Sequence, residues 1–231
     1  MTSTRRDFLD KLMVGGLSAS GLALGLGALP DVLAAADLAG APSARSRDWD
    51  VSWPQQLTGR VRSVFDVPEV ERGYGVWRAT IWAKQYEGVM GVPFAQLSTA
   101  LVLRHNGIVL AMKQEFWDRY GVANPTIEHP LTGKVITKNP ALLGEGDGVP
   151  EPYASFALPH FIARGGVVLA CDAALRMLMV PLVVVKDGVS AEEARERAIA
   201  GLIPGVRLQP SGIFAALLAQ QQAKALYIRA S

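Results

Sequence analysis

Among the 231 residues of this chain a single side chain carries a thiol, Cys171, set between the apolar run Val167-Val168-Leu169-Ala170 and the helix-like start Asp172-Ala173-Ala174. A thiol reacts as the thiolate, and free cysteine, with a pKa of ~8.5, is mostly protonated at neutral pH. A turn from strand to helix changes that balance, because backbone N–H groups and the positive end of the helix dipole favour the anion. Arg104 and His105, which close another apolar run, could add positive charge, and His105 could act as acid or base near neutrality. Asn106 beside them offers an amide. Asp172 opposes a thiolate next door unless its carboxylate turns toward the helix amides as an N-cap. Ser211-Gly212 opens a further helix pattern, where free backbone amides could hold an anion or the serine could serve only as a cap. Cys171 therefore has three readings: a small buried core residue, a reactive thiol, or one half of a bond between chains.

Other chemistries find little support. His105, His129, His160 and Cys171 are scattered, without the short paired spacings of a zinc site. The run Gly144-Glu145-Gly146-Asp147-Gly148 carries two carboxylates, fewer oxygen ligands than calcium takes, and lacks the Lys-Ser/Thr of a phosphate loop. No Gly-x-Ser-x-Gly elbow, dinucleotide fingerprint or basic stripe for nucleic acid is present. The sequence implies no metal, no cofactor and no nucleic-acid partner. Its formal charge of +2 implies no partner of either sign.

The elements that must position these residues alternate between strand and helix signals. Arg60 to Asp66 alternates with β-branched residues, the pattern of a strand. Tyr74 to Met90 places Trp77, Ile81, Trp82 and Tyr86 at helical spacing. Thr99 to Arg104 is nearly continuous apolar, as a strand covered on both faces should be, and His105-Asn106-Gly107 ends it. Ile108 to Tyr120 reads as a helix stopped by Gly121. Residues 122–152 carry Asn124-Pro125, His129-Pro130, Asn139-Pro140 and the glycine run, signals of a loop that is mobile at its glycines. It is long for a compact domain, where connections above roughly 12 to 15 residues are uncommon.

Tyr153 to Arg164 reads as a helix closed by Gly165-Gly166, and Val167 to Ala170 as a buried strand that delivers Cys171 at its carboxyl end. A helix starts at Asp172, and Pro181 is expected to interrupt it. Ser190 and Glu193 form a capping box for a helix to Ala200. Val206 to Gln209 is a short strand, Ser211 caps a helix from Gly212 to Ala223, and Ala225 to Ile228 is the last strand. Five strands alternating with helices predict an α/β domain with a mainly parallel five-stranded sheet and helices on both faces. Trp77, Trp82 and Trp117 belong to its core or to subunit contacts.

Ahead of this domain, Thr4-Arg5-Arg6-Asp7-Phe8-Leu9 precedes an uncharged run from Leu12 to Pro30, and Ala34-Ala35-Ala36 follows. The arrangement resembles a twin-arginine signal peptide over residues 1–36, which implies recognition by the twin-arginine export machinery and a periplasmic destination. Removing it leaves the charge unchanged, because its three cations and three anions cancel. Residues 37–59, rich in Ala, Pro, Ser and Arg, read as a linker packing loosely on the domain. Beyond the leader the most apolar stretch, Met177 to Val185, is too short to cross a bilayer of ~30 Å, so the mature chain has no expected membrane span.

The order of features over residues 60–231 resembles the DsrE-like family of small α/β proteins. The resemblance is carried by Arg62-Ser63-Val64-Phe65-Asp66, by Leu101-Val102-Leu103-Arg104-His105-Asn106-Gly107, and by Cys171-Asp172-Ala173-Ala174-Leu175-Arg176. The most specific block is Leu202-Ile203-Pro204-Gly205-Val206-Arg207-Leu208-Gln209-Pro210-Ser211-Gly212-Ile213, with Gln220 and Tyr227-Ile228 after it. The resemblance implies a three-layer flavodoxin-like fold that assembles into trimers or hexamers. It also implies a place for sulfur, since some members relay it as a cysteine persulfide while many have no assigned activity. Cys171 matches the sulfur-accepting position. His105 would then assist it, and Arg104, Asn106, Asp172, Ser211 and Gly212 would line the substrate. The alternative is a non-catalytic small-ligand-binding or assembly protein on the same fold. The export leader and the 122–152 loop depart from the family pattern.

Overall fold

The computed structural model describes residues 49–123 and 127–231. The expected leader, residues 37–48 of the expected linker, and Asn124-Pro125 lie outside the described residues. Five strands form one sheet, all parallel: β1 (Val61–Val67), β2 (Leu97–Leu103), β3 (Val167–Cys171), β4 (Val206–Gln209) and β5 (Leu226–Arg229), in the order 4-3-2-1-5. The layers are flavodoxin-like, and the strand order is distinct from flavodoxin's 2-1-3-4-5. Val, Leu and Ala make up most of β2 and β3 and recur in β1 with Phe65, because each of these strands is covered on both faces, which weakens the usual polar alternation.

Successive side chains divide between two cores. Phe65, Val67, Leu101, Leu103, Val168 and Ala170 point to one face, and Val64, Ala100, Val102, Val167 and Leu169 to the other. The steps from β1 to β2 to β3 to β4 run the same way across the sheet, so right-handed crossovers put their helices on one face. These helices are α1 (Tyr74–Met90), α2 (Gln114–Tyr120), α3 (Leu158–Ala163), the helical run α4 (172–187) and α5 (Ala191–Ala200). The return from β4 to β5 crosses the opposite face as α6 (Gly212–Ala223). There Ala215, Ala219 and Ala223 turn inward with Leu218, and their small side chains let the helix lie close to the strands.

Most element bounds agree with the sequence reading, and several expectations are corrected. Part of the expected linker is core. Trp53, in the tight turn Trp53–Gln56, is fully buried beside Leu57 under the α6 face, and its indole N–H donates to Gln209 Oε1 at 3.2 Å. The helix expected over 108–120 exists only from Gln114. Before it the chain makes a tight turn, His105–Ala111, and Met112 is extended and bridged to Leu202. Gly107 explains the tether: its N–H donates to the Pro68 carbonyl at 2.9 Å, and a Cβ there would stand 2.2 Å from the Val67 oxygen. The helix expected over 153–164 begins at Leu158, because Pro159 is tolerated only in a first turn.

Pro181 does not interrupt the run after Asp172. One wide turn, Leu175–Met179, shifts the hydrogen-bond register, and Pro181 then falls at the start of the segment Val180–Asp187, where its missing N–H leaves no gap. The expected loop is likewise packed, not loose, where it is described. Asn139 is wholly buried, donating to the carbonyls of Leu110 and Met112 at 3.2 and 2.8 Å while Oδ1 accepts from the Ala141 N–H. In the glycine run Asp147 accepts from Lys138 Nζ and from the Gly144 N–H. Leu143 and Val149 complete a small core with Trp77, Ala154 and Phe156. Ser190 Oγ accepts from the Glu193 N–H as expected of a cap, whereas the Glu193 carboxylate pairs with Arg197.

Candidate functional site

In open parallel sheets a crevice forms beyond the carboxyl ends of neighbouring strands whose connections leave to opposite faces. Here that place lies between β3, which runs into α4 on one face, and β4, which runs into α6 on the other. Cys171 and Gln209 are register partners there, and Asp172 and Ser211 follow within two residues. The strand–turn–helix grammar that placed Cys171 at a strand end thus holds, and it brings the thiol to the switch point.

The local geometry is closed. Cys171 is 5% exposed and belongs to the core of the five-helix face. Its Sγ accepts the Ala174 N–H at 3.3 Å, the bond an N-cap side chain makes. Asp172 does not cap the helix. Its buried carboxylate takes Arg176 Nε at 2.7 Å and Arg195 Nη2 at 2.5 Å. Arg176 lies one helical turn away and is legible as an i,i+4 pair, whereas Arg195 comes from α5, and nothing local in the sequence marks it. Arg195 Nε is also buried with no acceptor, a property shared among the described residues only by the Trp77 indole nitrogen.

Arg104 is drawn to a different partner. Its Nε and Nη2 each donate to Asp66 at 2.7 Å, a bidentate pair, and the Tyr227 hydroxyl donates to the same carboxylate at 2.6 Å. The Asp66 bonds raise the Arg104 guanidinium above its ordinary range. The Tyr227 hydroxyl is also raised, first by burial and then by Asp66. Gly212 enters this cluster by its lack of a side chain: a Cβ would stand 2.6 Å from Arg104 Cβ. The Ser211 hydroxyl is spent on the Phe214 N–H at 3.1 Å. His105, at φ +49°, points to solvent with Nδ1 3.5 Å from Glu69, and Asn106 donates to the same carboxylate at 2.9 Å.

The predicted residues therefore form three groups along the carboxyl edge: Cys171 with Asp172, Arg104 with Gly212, and His105 with Asn106. Among the described residues no hydrogen bond or ion pair joins Arg104 or His105 to Cys171. Asp66, Tyr227, Arg195 and Glu69 organise these groups and were not among the site residues read from the sequence. Asp66 and Tyr227 entered that reading as strand residues within the stretches that carry the resemblance, with no role assigned. The described residues include no group of three or more His, Cys, Asp or Glu placed to hold a metal, and no helix long and apolar enough to cross a membrane. No family model, curated protein or solved structure matches the chain.

Proposed function

We propose that this chain is a DsrE-like assembly or small-ligand-binding module, exported to the periplasm by the twin-arginine route, in which Cys171 is a structural helix cap. The observation that carries this reading is the state of the thiol: it is buried, engaged with the Ala174 N–H, and next to a carboxylate already held by two arginines. Sulfur transfer needs an accessible thiolate. Assembly is supported by the edge strand β5. Leu226, Tyr227 and Ile228 are all exposed, Leu226 at 65%, and among the described residues no strand pairs with the outer side of β5. Such an edge pairs readily with another chain unless it is blocked.

The competing reading is a persulfide relay, favoured by the amide N–H on Sγ at the sheet's switch point. Mass spectrometry after exposure to a sulfane-sulfur donor separates the two. The native protein is expected to gain no sulfur, and its Cys171 to alkylate slowly until denaturant is added. A gain of one sulfur atom that disappears in Cys171→Ser would establish the relay instead. Light scattering during size exclusion tests assembly, with a trimer or hexamer expected and a monomer opposing it. Replacing Arg5-Arg6 by Lys-Lys tests export, since continued secretion would reject the twin-arginine route.

A further inference from the structure

At the amino end of the sheet, away from Cys171, a cavity of about 250 Å³ opens between α1, the chain entering β2 and the turn from α3 into β3. β3 separates the two places by its own length, roughly 17 Å at ~3.3 Å per residue. The cavity's lining holds one cation, Arg164, together with the hydroxyls of Thr80, Ser98 and Thr99, and it contains no Asp or Glu. Arg164 also differs from the other arginines described above. Arg104, Arg176, Arg195 and Arg197 each hold a carboxylate, whereas Arg164 pairs with none among the described residues.

Its guanidinium donates to the Ser155 carbonyl at 2.8 Å through Nη1 and reaches Thr80 Oγ1 at 3.4 Å through Nη2. Among the described residues no acceptor takes the remaining N–H groups of the fork. Partial burial lowers the Arg164 pKa, and the nearby charge of Glu151, which forms no ion pair with it, offsets part of that shift. The Thr99 hydroxyl can donate as well: its Oγ1 accepts the Trp82 indole N–H at 2.9 Å and the Ser63 hydroxyl at 3.4 Å, which leaves its own proton for a further acceptor. Phe94 and Phe161 supply an apolar wall.

We infer that this cavity is a binding site for a small oxyanion, held by Arg164 and the hydroxyls of Thr80 and Thr99. A fork of guanidinium N–H groups matches two oxygens of a carboxylate, sulfate or phosphate. The volume falls below the ~300 Å³ at which pockets for drug-sized ligands begin, which restricts the ligand to an inorganic oxyanion or a short organic acid. The site does not depend on the role assigned to Cys171, and its test leaves that question untouched.

Calorimetric titration of the full chain with sulfate, phosphate and propionate, each in low-salt chloride buffer, tests the inference. At least one anion is expected to bind saturably, with affinity reduced about tenfold or more in Arg164→Gln and partly restored in Arg164→Lys, as loss of a charged hydrogen bond implies. Ala95→Trp, placed at the exposed rim, is expected to weaken the same anion while leaving Arg164 intact, and it decides the matter if Arg164→Gln does not fold. Absence of saturable binding by all three anions overturns the inference. Binding unchanged in Arg164→Gln, or in Ala95→Trp where the former does not fold, overturns it equally.

Discussion

Replacing Asp66 by Asn tests whether the carboxyl edge is held by one buried carboxylate. The Asp66 side chain is 2% exposed and accepts from Arg104 twice and from Tyr227 once, so it ties β1 to β2 and β5. Asn is nearly isosteric but neutral, and its N–H₂ presents donors to donors. Removing one partner of a buried ion pair costs about 3–5 kcal/mol because the other charge is left uncompensated. The Arg104 side chain is 28% exposed and can recruit some water, which selects the lower end, about 3 kcal/mol. For a domain of this size each kcal/mol moves the melting temperature by roughly 2–4 °C, so circular dichroism should show a fall of roughly 6–12 °C. Tyr227→Phe, losing one hydrogen bond, should cost only about 1 kcal/mol. Combining Asp66→Asn with Arg104→Met should cost less than the sum of the two, because the stranded charge is gone. A melting temperature within about 2 °C of the parent, or strict additivity, would refute the argument.

Trp53→Ala should destabilise by about 3–5 kcal/mol, read by urea unfolding, because it empties a fully buried site and strips Gln209 Oε1 of its donor. A loss under about 1 kcal/mol would mean that the segment before β1 packs loosely after all. Asp187 predicts an acid-sensitive staple between α2, α4 and α5. Burial alone would push its carboxyl up, but bonds from Arg119, Tyr120 and Arg197 hold it down at about 2. Its folded value lies below the unfolded value of ~3.9, so its stabilisation is complete above pH ~4 and disappears as pH falls toward ~2. Melting curves of Asp187→Asn should therefore depend less on pH across that window than those of the parent, and identical slopes would contradict the assignment. Tyr227 gives the opposite limb: its raised value makes its contribution complete below pH ~10 and lost as pH climbs further. Tyr227→Phe should melt with a shallower alkaline decline.

The sequence alone placed all five strands and most helix ends, while the starts of α2 and α3 and the continuity of α4 came from the structure. The apolar runs of β2 and β3 marked covered strands, Ser190 and Ser211 marked helix starts by their reach to an amide three residues on, and Gly121 sits in the left-handed conformation that stops α2. Such signals act over a few residues, so they survive in a linear reading. The tertiary structure decided what those elements do to each other. Pro181 passes within a helix because a wide turn precedes it, Trp53 becomes core because Gln209 waits on a strand 156 residues later, and Asp172 faces Arg195 from another helix. Arg164 lines a cavity only because α1 and the start of β2 close around it. Burial, ion pairing and cavity shape depend on which distant surfaces meet; the thiol was legible as a strand-end position with burial among its readings, and only the packing of α4 and α5 decided for burial.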